Sequence, residues 1–474
     1  MDRIGNVART SSAVASPPRS APAARSTEPA DAYAGSVPTP DPTPTVRRAS
    51  SRANSVAAHN PQVGTKDTTP RLSAGALQSP RFLGTEAEYF KEARGMIDNA
   101  APGDRLCLQM YTFENAVTHG DDNAAKTAPG YADQQALLPG LAAAAKRGVK
   151  VDIVLDASRD PQTGKPHNQP IIDYLKKHAG ATGNMAIDYY PPESVNIDHA
   201  KQLIHLTPDS KGGYAVQKAL VGGSNWGNHT PANDDGGGVF YGRDAVGAAQ
   251  IFFRDQAFSR GDRTSAPAPE NDPSAPVKWL TTSPTAEGGG SHAILDAKLA
   301  LTKQASSVYV NEFCFTHGDL VDATAAKGHD AHVRLDPNES MVNRNALWAV
   351  RKAHGEAQWA NTAADPNMVG QKNHQKLDVY ADADGQAFSL TIGSANDTSN
   401  GLDTTHAVVS KSTGASSTKK TNHEIDAQVD RVTIGDYTTA DFLDAALAKT
   451  KDDLAARSLN GLPSTLSGTK PGQF

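Results

Sequence analysis

The sequence predicts an α/β protein of two similar lobes, each a mixed β-sheet flanked by helices, with one site at the lobe interface. Three observations carry this. A series of helix and strand patterns that begins near residue 85 restarts near residue 291, in the same order. A Pro-, Ser- and Asp-rich stretch at 260–276 separates the two series, as expected of a linker. Each series also runs into the same residues: a His, a Lys two places on, a Gly/Ser turn ending in Asn, then Asn-x-acid. Self-similarity of this kind is the mark of an internal duplication.

In the first copy, Ala87, Tyr89, Phe90, Ala93, Met96 and Ile97 recur at helical spacing and predict an amphipathic helix over 85–99. Leu106, Leu108, Met110 and Tyr111 predict a buried strand within 104–114. Residues 134–147 predict a helix, kinked at Pro139 and ended by Gly148, followed by a strand over 149–156. Strand, helix, Gly and strand in that order imply a right-handed crossover and a parallel pair. A helix over 170–178, a short strand over 185–190 and a strand–turn–strand after His199 complete the copy. The second copy repeats this with a helix over 291–305, strands at 308–315 and 332–336, a short helix at 323–328 and a helix over 343–354. A strand–turn–strand over 377–392 follows. The offset falls from 202 (Leu106 to Val308) through 180 (Asp156 to Asp336) to 175 (His199 to His374), so the first copy carries extra loop. Residues 397–421 form a long polar insertion, either a substrate-selecting lid or a flexible loop. A C-terminal amphipathic helix is expected over 439–457.

The expected boundaries are a tail over 1–80, lobes over 81–259 and 280–458, a linker over 260–279 and a tail over 459–474. Residues 1–80 are rich in Ser, Ala, Pro, Thr and Arg and bury too little apolar surface to offset ordering entropy. They lack the apolar core of a secretory signal peptide. In composition they resemble export signals of bacterial effectors delivered by contact-dependent systems, which makes a secreted or host-delivered protein the expectation and a cytoplasmic one the alternative. Net charge is −6 with pI near 6.2, which argues against a general polyanion binder. Cys107 and Cys314 cannot form a disulfide framework and read as buried thiols. No apolar run reaches the ~18 residues of a membrane span.

The chemistry lies in the paired constellations. The first holds His199, Lys201, Gly222-Gly-Ser-Asn225 and Asn233-Asp-Asp235; the second holds His374, Lys376, Gly393-Ser-Ala-Asn396 and Asn422-His-Glu424. On a strand, His and Lys two apart share a face, and glycines let backbone approach a ligand. Two imidazoles, two ammoniums and two amides suit a phosphoryl group in flight. One neutral imidazole attacks phosphorus and the other, protonated, serves the leaving oxygen. Lysines and amides stabilise the equatorial oxygens, so no metal or other cofactor is called for. Asp235 and Glu424 can each fix an imidazole tautomer. A single His-x-Lys would read as a solvated surface pair; of 15 histidines, only these two carry Lys at +2, and both lead into the same sequel. Trp226 either lines the site mouth or packs the lobe interface.

These motifs resemble those of the phospholipase D superfamily, the double His-Lys-Asp enzymes, over roughly residues 85–450. The resemblance implies two lobes sharing one site, a phosphohistidine formed on His199, His374 as general acid then base, and Lys201, Lys376, Asn225 and Asn396 as phosphate ligands. It also implies a phosphodiesterase acting on phospholipid by hydrolysis or transfer; a monomer in peripheral contact with the membrane is the expectation. The family's Asp five places after the lysine is missing: Leu206 and Ala381 stand there, with Asp209 and Asp382 out of register unless a bulge intervenes. The alternatives are a nuclease of the same superfamily, disfavoured by the negative charge, and a catalytically weak protein that docks anionic lipid headgroups.

Overall fold

The computed structural model describes residues 70–120, 125–159, 164–180, 183–191, 196–262, 274–282, 292–360, 372–403, 405–409 and 416–456, all within one compact unit. The first copy supplies β1 (Leu72–Ala74), β2 (Arg81–Leu83), α1 (Glu86–Asn99), β3 (Arg105–Met110), α2 (Ala116–His119), α3 (Tyr131–Arg147), β4 (Lys150–Leu155), α4 (Gln169–His178), β5 (Met185–Tyr189), β6 (Gln202–Pro208), β7 (Tyr214–Gly222), β8 (Gly237–Tyr241) and α5 (Val246–Ser259). The second supplies β9 (Val277–Thr281), α6 (Ala293–Gln304), β10 (Ser307–Glu312), α7 (Gly318–Ala325), β11 (Ala331–Leu335), α8 (Ser340–Lys352), β12 (Glu356–Trp359), β13 (Lys376–Ala381), β14 (Ala387–Gly393), α9 (Ser399–Leu402), β15 (Thr405–Val409), β16 (Ser416–Lys420), β17 (Ile425–Asp430) and α10 (Ala440–Ala455).

The duplication is visible in the sheets. The first runs β5-β4-β3-β6-β7-β8-β2, with β1 beside β7; the second runs β12-β11-β10-β13-β14-β17-β9. In both, the three strands at one end are parallel and the rest of the path is antiparallel, while β1 runs parallel to β7. One apolar core joins the two lobes, with Ile204, Leu206 and Val216 of the first sheet, Leu377, Val379 and Ile392 of the second, and Phe252 and Phe442 from α5 and α10. A separate core under α1, α3 and α4 covers the first sheet's other face, and one under α6, α7 and α8 covers the second's.

Local chemistry explains the elements. Thr85 caps α1 by accepting from Glu88 N at 3.3 Å, and Glu88 returns to Gly84 N at 3.0 Å, two orphan amides satisfied reciprocally. Helix α3 continues through Pro139 because the carbonyl that proline leaves without a donor, Gln135 O, accepts from Asn115 Nδ2 at 2.8 Å. The helix stops at Gly148, whose φ of 96° is left-handed.

Some expectations are corrected. Ordered chain begins before residue 81, since β1 pairs with β7, and β9 claims 277–279 for the second sheet. The insertion at 397–421 contains α9 and an antiparallel β15–β16 hairpin rather than an unstructured loop. Residues 1–69, most of the 260–276 stretch and the C-terminal tail lie outside the described residues. Neither His199 nor His374 sits within a strand, because their segments pair with the opposite lobe. Asp198 bridges His423 and Asp234 bridges Asn373, both in parallel sense. Hydrogen bonds run from His199 N to His423 O and from His374 N to Asp234 O, each 2.9 Å.

Charges lock this crossing. His423 Nδ1 meets Asp198 at 2.7 Å, its Nε2 meets Asp255 at 3.2 Å, and its ring stacks on Tyr190 at 4.9 Å. At the equivalent crossing Arg334 bonds Asn373 at 3.0 Å and Asp234 at 2.7 Å. Burial alone would lower the His423 pKa, but the two carboxylates raise it to about 10. A proton held more tightly in the folded than in the unfolded state stabilises the fold fully below the ordinary histidine value, and that contribution fades as pH rises toward 10. Melting curves between pH 6 and 10 are therefore expected to show the stability gap between the wild type and His423→Gln narrowing as pH rises; a gap independent of pH would contradict this.

Candidate active site

The crossing hands each histidine an acid from the other lobe. His199 Nδ1 lies 2.9 Å from both oxygens of Glu424, and His374 Nδ1 lies 2.7 Å from Asp235 Oδ2. With a carboxylate on Nδ1, each ring carries its hydrogen there and keeps its lone pair on Nε2. Glu424 is itself held, Oε2 accepting from Ser394 Oγ at 2.6 Å and Oε1 from Asn422 Nδ2 at 3.2 Å. Asp235 Oδ1 accepts from Gly236 N at 2.8 Å.

Each lysine is anchored by its own histidine: Lys201 Nζ donates to His199 O and Lys376 Nζ to His374 O, both at 2.6 Å. An aromatic ring completes each half. Tyr111 lies 5.2 Å from the His199 ring and 5.4 Å from Lys201 Nζ; Phe313 lies 5.0 Å from the His374 ring and 5.4 Å from Lys376 Nζ. Asn225 and Asn396 end the turns after β7 and β14 and are buried with the rest of the set. Two glycines are dictated by crowding. A Cβ on Gly223 would lie 2.6 Å from Asp235 Oδ1, and one on Gly393 would lie 2.2 Å from Asp426 Oδ1.

Beneath the motifs, two aspartates at the ends of β4 and β11 hold the crossing segments. Asp156 Oδ2 accepts from Asp198 N and Asp336 Oδ2 from Asn373 N, each at 2.6 Å. Sequence reading placed both at strand ends 180 residues apart without giving them a task. The same offset logic, 202 residues, pairs Tyr111 with Phe313 and could have found the aromatic pair. The missing motif acids stay missing. Leu206 and Ala381 are core residues at register shifts that fall in equivalent places in the two hairpins. Asp209 accepts from Lys211 N and Gly213 N, and Asp382 from Asp384 N and Gln386 N. Both pin hairpin turns. Trp226 is fully buried in the first lobe's core against Phe113, so it lines neither the mouth nor the lobe interface. Cys107 and Cys314 are buried thiols, as expected.

Burial raises the carboxyl pKa of Asp235 to about 7 against the pull of Lys376, and that of Glu424 to about 7 against the pull of Lys201. Burial, then the ammoniums of Lys376, Lys201 and Lys372, then His199, push the His374 imidazole well below its ordinary value. Charges of both halves thus act on one another, and buried ammoniums of this kind call for an anion. Because both carboxyls must be ionised to accept from Nδ1, kcat/KM on a phosphodiester reporter is expected to fall as pH drops below about 7. Glu424→Gln is expected to lose at least about 100-fold in kcat/KM. A pH–rate profile flat from pH 5 to 8 would contradict the assignment.

No protein-family model and no curated protein matches the sequence. Solved structures do. Phosphatidylserine synthase from Haemophilus influenzae Rd KW20 matches at TM-score 0.53 and 11% identity, over 82% of this chain and 88% of that one. Polyphosphate kinase from Porphyromonas gingivalis matches at 0.41 and 11%, over 73% of this chain; the chain spans about half, 46%, of that longer protein. Yeast tyrosyl-DNA phosphodiesterase matches at 0.39 and 9%, over 75% of this chain and 90% of that one. With two mixed sheets of matching strand order, reciprocal His–carboxylate pairs and this likeness, the chain has the phospholipase D-like fold.

Proposed function

We propose that this chain is a phosphodiesterase of the phospholipase D type. It takes a phospholipid to phosphatidic acid and free headgroup, or transfers the phosphatidyl group to an alcohol, through a phosphohistidine. The observation that carries this is the reciprocal pairing of His199 with Glu424 and His374 with Asp235, with a buried lysine beside each ring.

In the first step the Nε2 lone pair of His199 attacks phosphorus, the bond to the headgroup oxygen breaks, and His374 Nε2–H gives that oxygen its proton. In the second, His374 takes a proton from water or alcohol, whose oxygen attacks phosphorus and displaces His199. Glu424 stabilises the charge that His199 gains. Lys201, Lys376, Asn225 and Asn396 are the phosphate ligands, acting where charge develops. In the free protein His374 is held neutral. A phosphodiester anion seated between the lysines offsets their potential and raises its proton affinity. That neutral resting state favours one second reading, in which His374 attacks and His199 is the acid.

Substrate class rests on charge. A nuclease needs a field that attracts a polyanion, and this chain carries −6. Phosphatidylcholine-like lipid is the substrate we infer, met from the aqueous side as a peripheral contact. No helix among the described residues is long and apolar enough to cross a membrane.

Phosphatidylcholine labelled in its phosphatidyl part is expected to leave an acid-sensitive, base-stable label on the wild type, retained or increased in His374→Ala and absent in His199→Ala. Label in His199→Ala but not in His374→Ala would reverse the two roles. Nicking of plasmid without lipid turnover would replace lipid by nucleic acid. Lipid binding without turnover in the wild type would make the chain a headgroup-docking protein.

A further inference from the structure

The two half-sites rest on different foundations. Under the first, Met110, Leu203 and Trp226 are fully buried in an apolar core. Counted from β3 to β10, from Lys201 to Lys376 and from Gly222 to Gly393, the equivalent residues are Glu312, Asp378 and Asp397. The duplication has exchanged three apolar side chains for three carboxylates, each 2% exposed or less.

Among the described residues, one ammonium forms ion pairs with them. Lys298 Nζ, from α6, lies 2.6 Å from Asp397 Oδ1, 2.8 Å from Asp378 Oδ2 and 3.6 Å from Glu312 Oε1. It cannot satisfy the set. Among the described residues no donor reaches either oxygen of Glu312, Asp378 Oδ1, Asp397 Oδ2 or the nearby Asp426 Oδ2, and the Asp378 and Asp397 carboxyls crowd each other. One oxygen each from Glu312, Asp378 and Asp397 falls within a 4.8 Å span. Ligand oxygens around one hard cation are separated by at most about twice the metal–oxygen distance, roughly 4–5 Å. Four carboxyls against Lys298 and the pull of Lys376 leave the interior short of positive charge, and buried negative charge without compensation is costly.

We propose that Glu312, Asp378 and Asp397 bind a hard divalent cation beside Lys298. The donors are all oxygen, which selects the Mg²⁺, Mn²⁺ and Ca²⁺ class over zinc or copper. The cation touches no reacting atom. Its ligands sit where the second half-site is built: Glu312 lies opposite Lys376 in the β10–β13 register, Asp378 is two residues past Lys376, and Asp397 directly follows Asn396. It is a structural ion that fixes Lys376 and Asn396, a task the first lobe leaves to apolar packing.

The test uses the full chain purified without chelator. Elemental analysis is expected to find about one equivalent of such a metal, and chelator dialysis is expected to lower Tm by about 5 °C, restored by about 1 mM Ca²⁺ or Mn²⁺. Terbium added to the stripped protein is expected to luminesce on tyrosine excitation, because the Tyr380 hydroxyl lies 3.5 Å from Asp378 Oδ2. Glu312→Gln, which keeps volume and removes one ligand, is expected to weaken terbium binding at least tenfold and to lose the metal-dependent Tm shift. Asp397→Asn supplies the same reading if Glu312→Gln does not fold. A wild type with no bound metal, no Tm response to any of the three ions and no terbium emission would overturn the proposal and show that protons neutralise the cluster. Metal binding unchanged in the substituted protein would overturn it as well. None of these readouts depends on which substrate the chain turns over.

Discussion

Everything at the centre of this molecule depends on two histidines borrowing their acids from the opposite lobe. His199 without Glu424, or His374 without Asp235, would be a buried imidazole with no fixed tautomer. The pairing exists only because the segments before β6 and β13 leave their own sheets and run beside the other lobe. The duplication thus builds two halves that are each incomplete. That explains why the lobes share one apolar core, since a hinge between them would separate each ring from its carboxylate.

The surrounding charges follow from this constraint. A site that brings two lysines, two histidines and two acids out of water must balance them locally, because an unpaired buried charge is far costlier than a paired one. The structure does so in layers. Ser394, Asn422 and Gly236 bond the acids, Asp156 and Asp336 hold the backbone that carries the rings, and His423 and Arg334 neutralise the crossing. Two carboxyls poised near neutrality and one imidazole held neutral are what this arrangement produces. Such clustering of shifted groups is common where proton transfer takes place.

Much of this was legible in the residues. The His-x-Lys pairs, the Gly/Ser turns and the late acids were visible because the duplication prints each of them twice, and the succession of helices and strands along the chain follows from local hydrophobic patterning. The partner of each acid was not legible. Asp235 and Glu424 stand nearer in sequence to their own lobe's histidine, and only the crossing, a long-range backbone pairing, assigns them to the other. For the same reason a strand was expected at His199, where backbone pairs across lobes instead. Pro139 was legible as a break in the hydrogen-bond ladder, but not that Asn115 would take up Gln135 O. Trp226 next to Asn225 suggested either a site wall or lobe-interface packing, but its side chain is buried in the first lobe's own core.

The claim on which this account stands is that both rings face one phosphorus atom. A crystal structure with vanadate, which copies the five-coordinate phosphoryl group, tests it most directly. The account predicts vanadium bonded to Nε2 of His199, or of His374 should the roles be reversed, with the other ring's Nε2 within hydrogen-bonding distance of an apical oxygen and Lys201 and Lys376 on the equatorial oxygens. Vanadate bound to one ring alone, with the other turned into the protein interior, would contradict it.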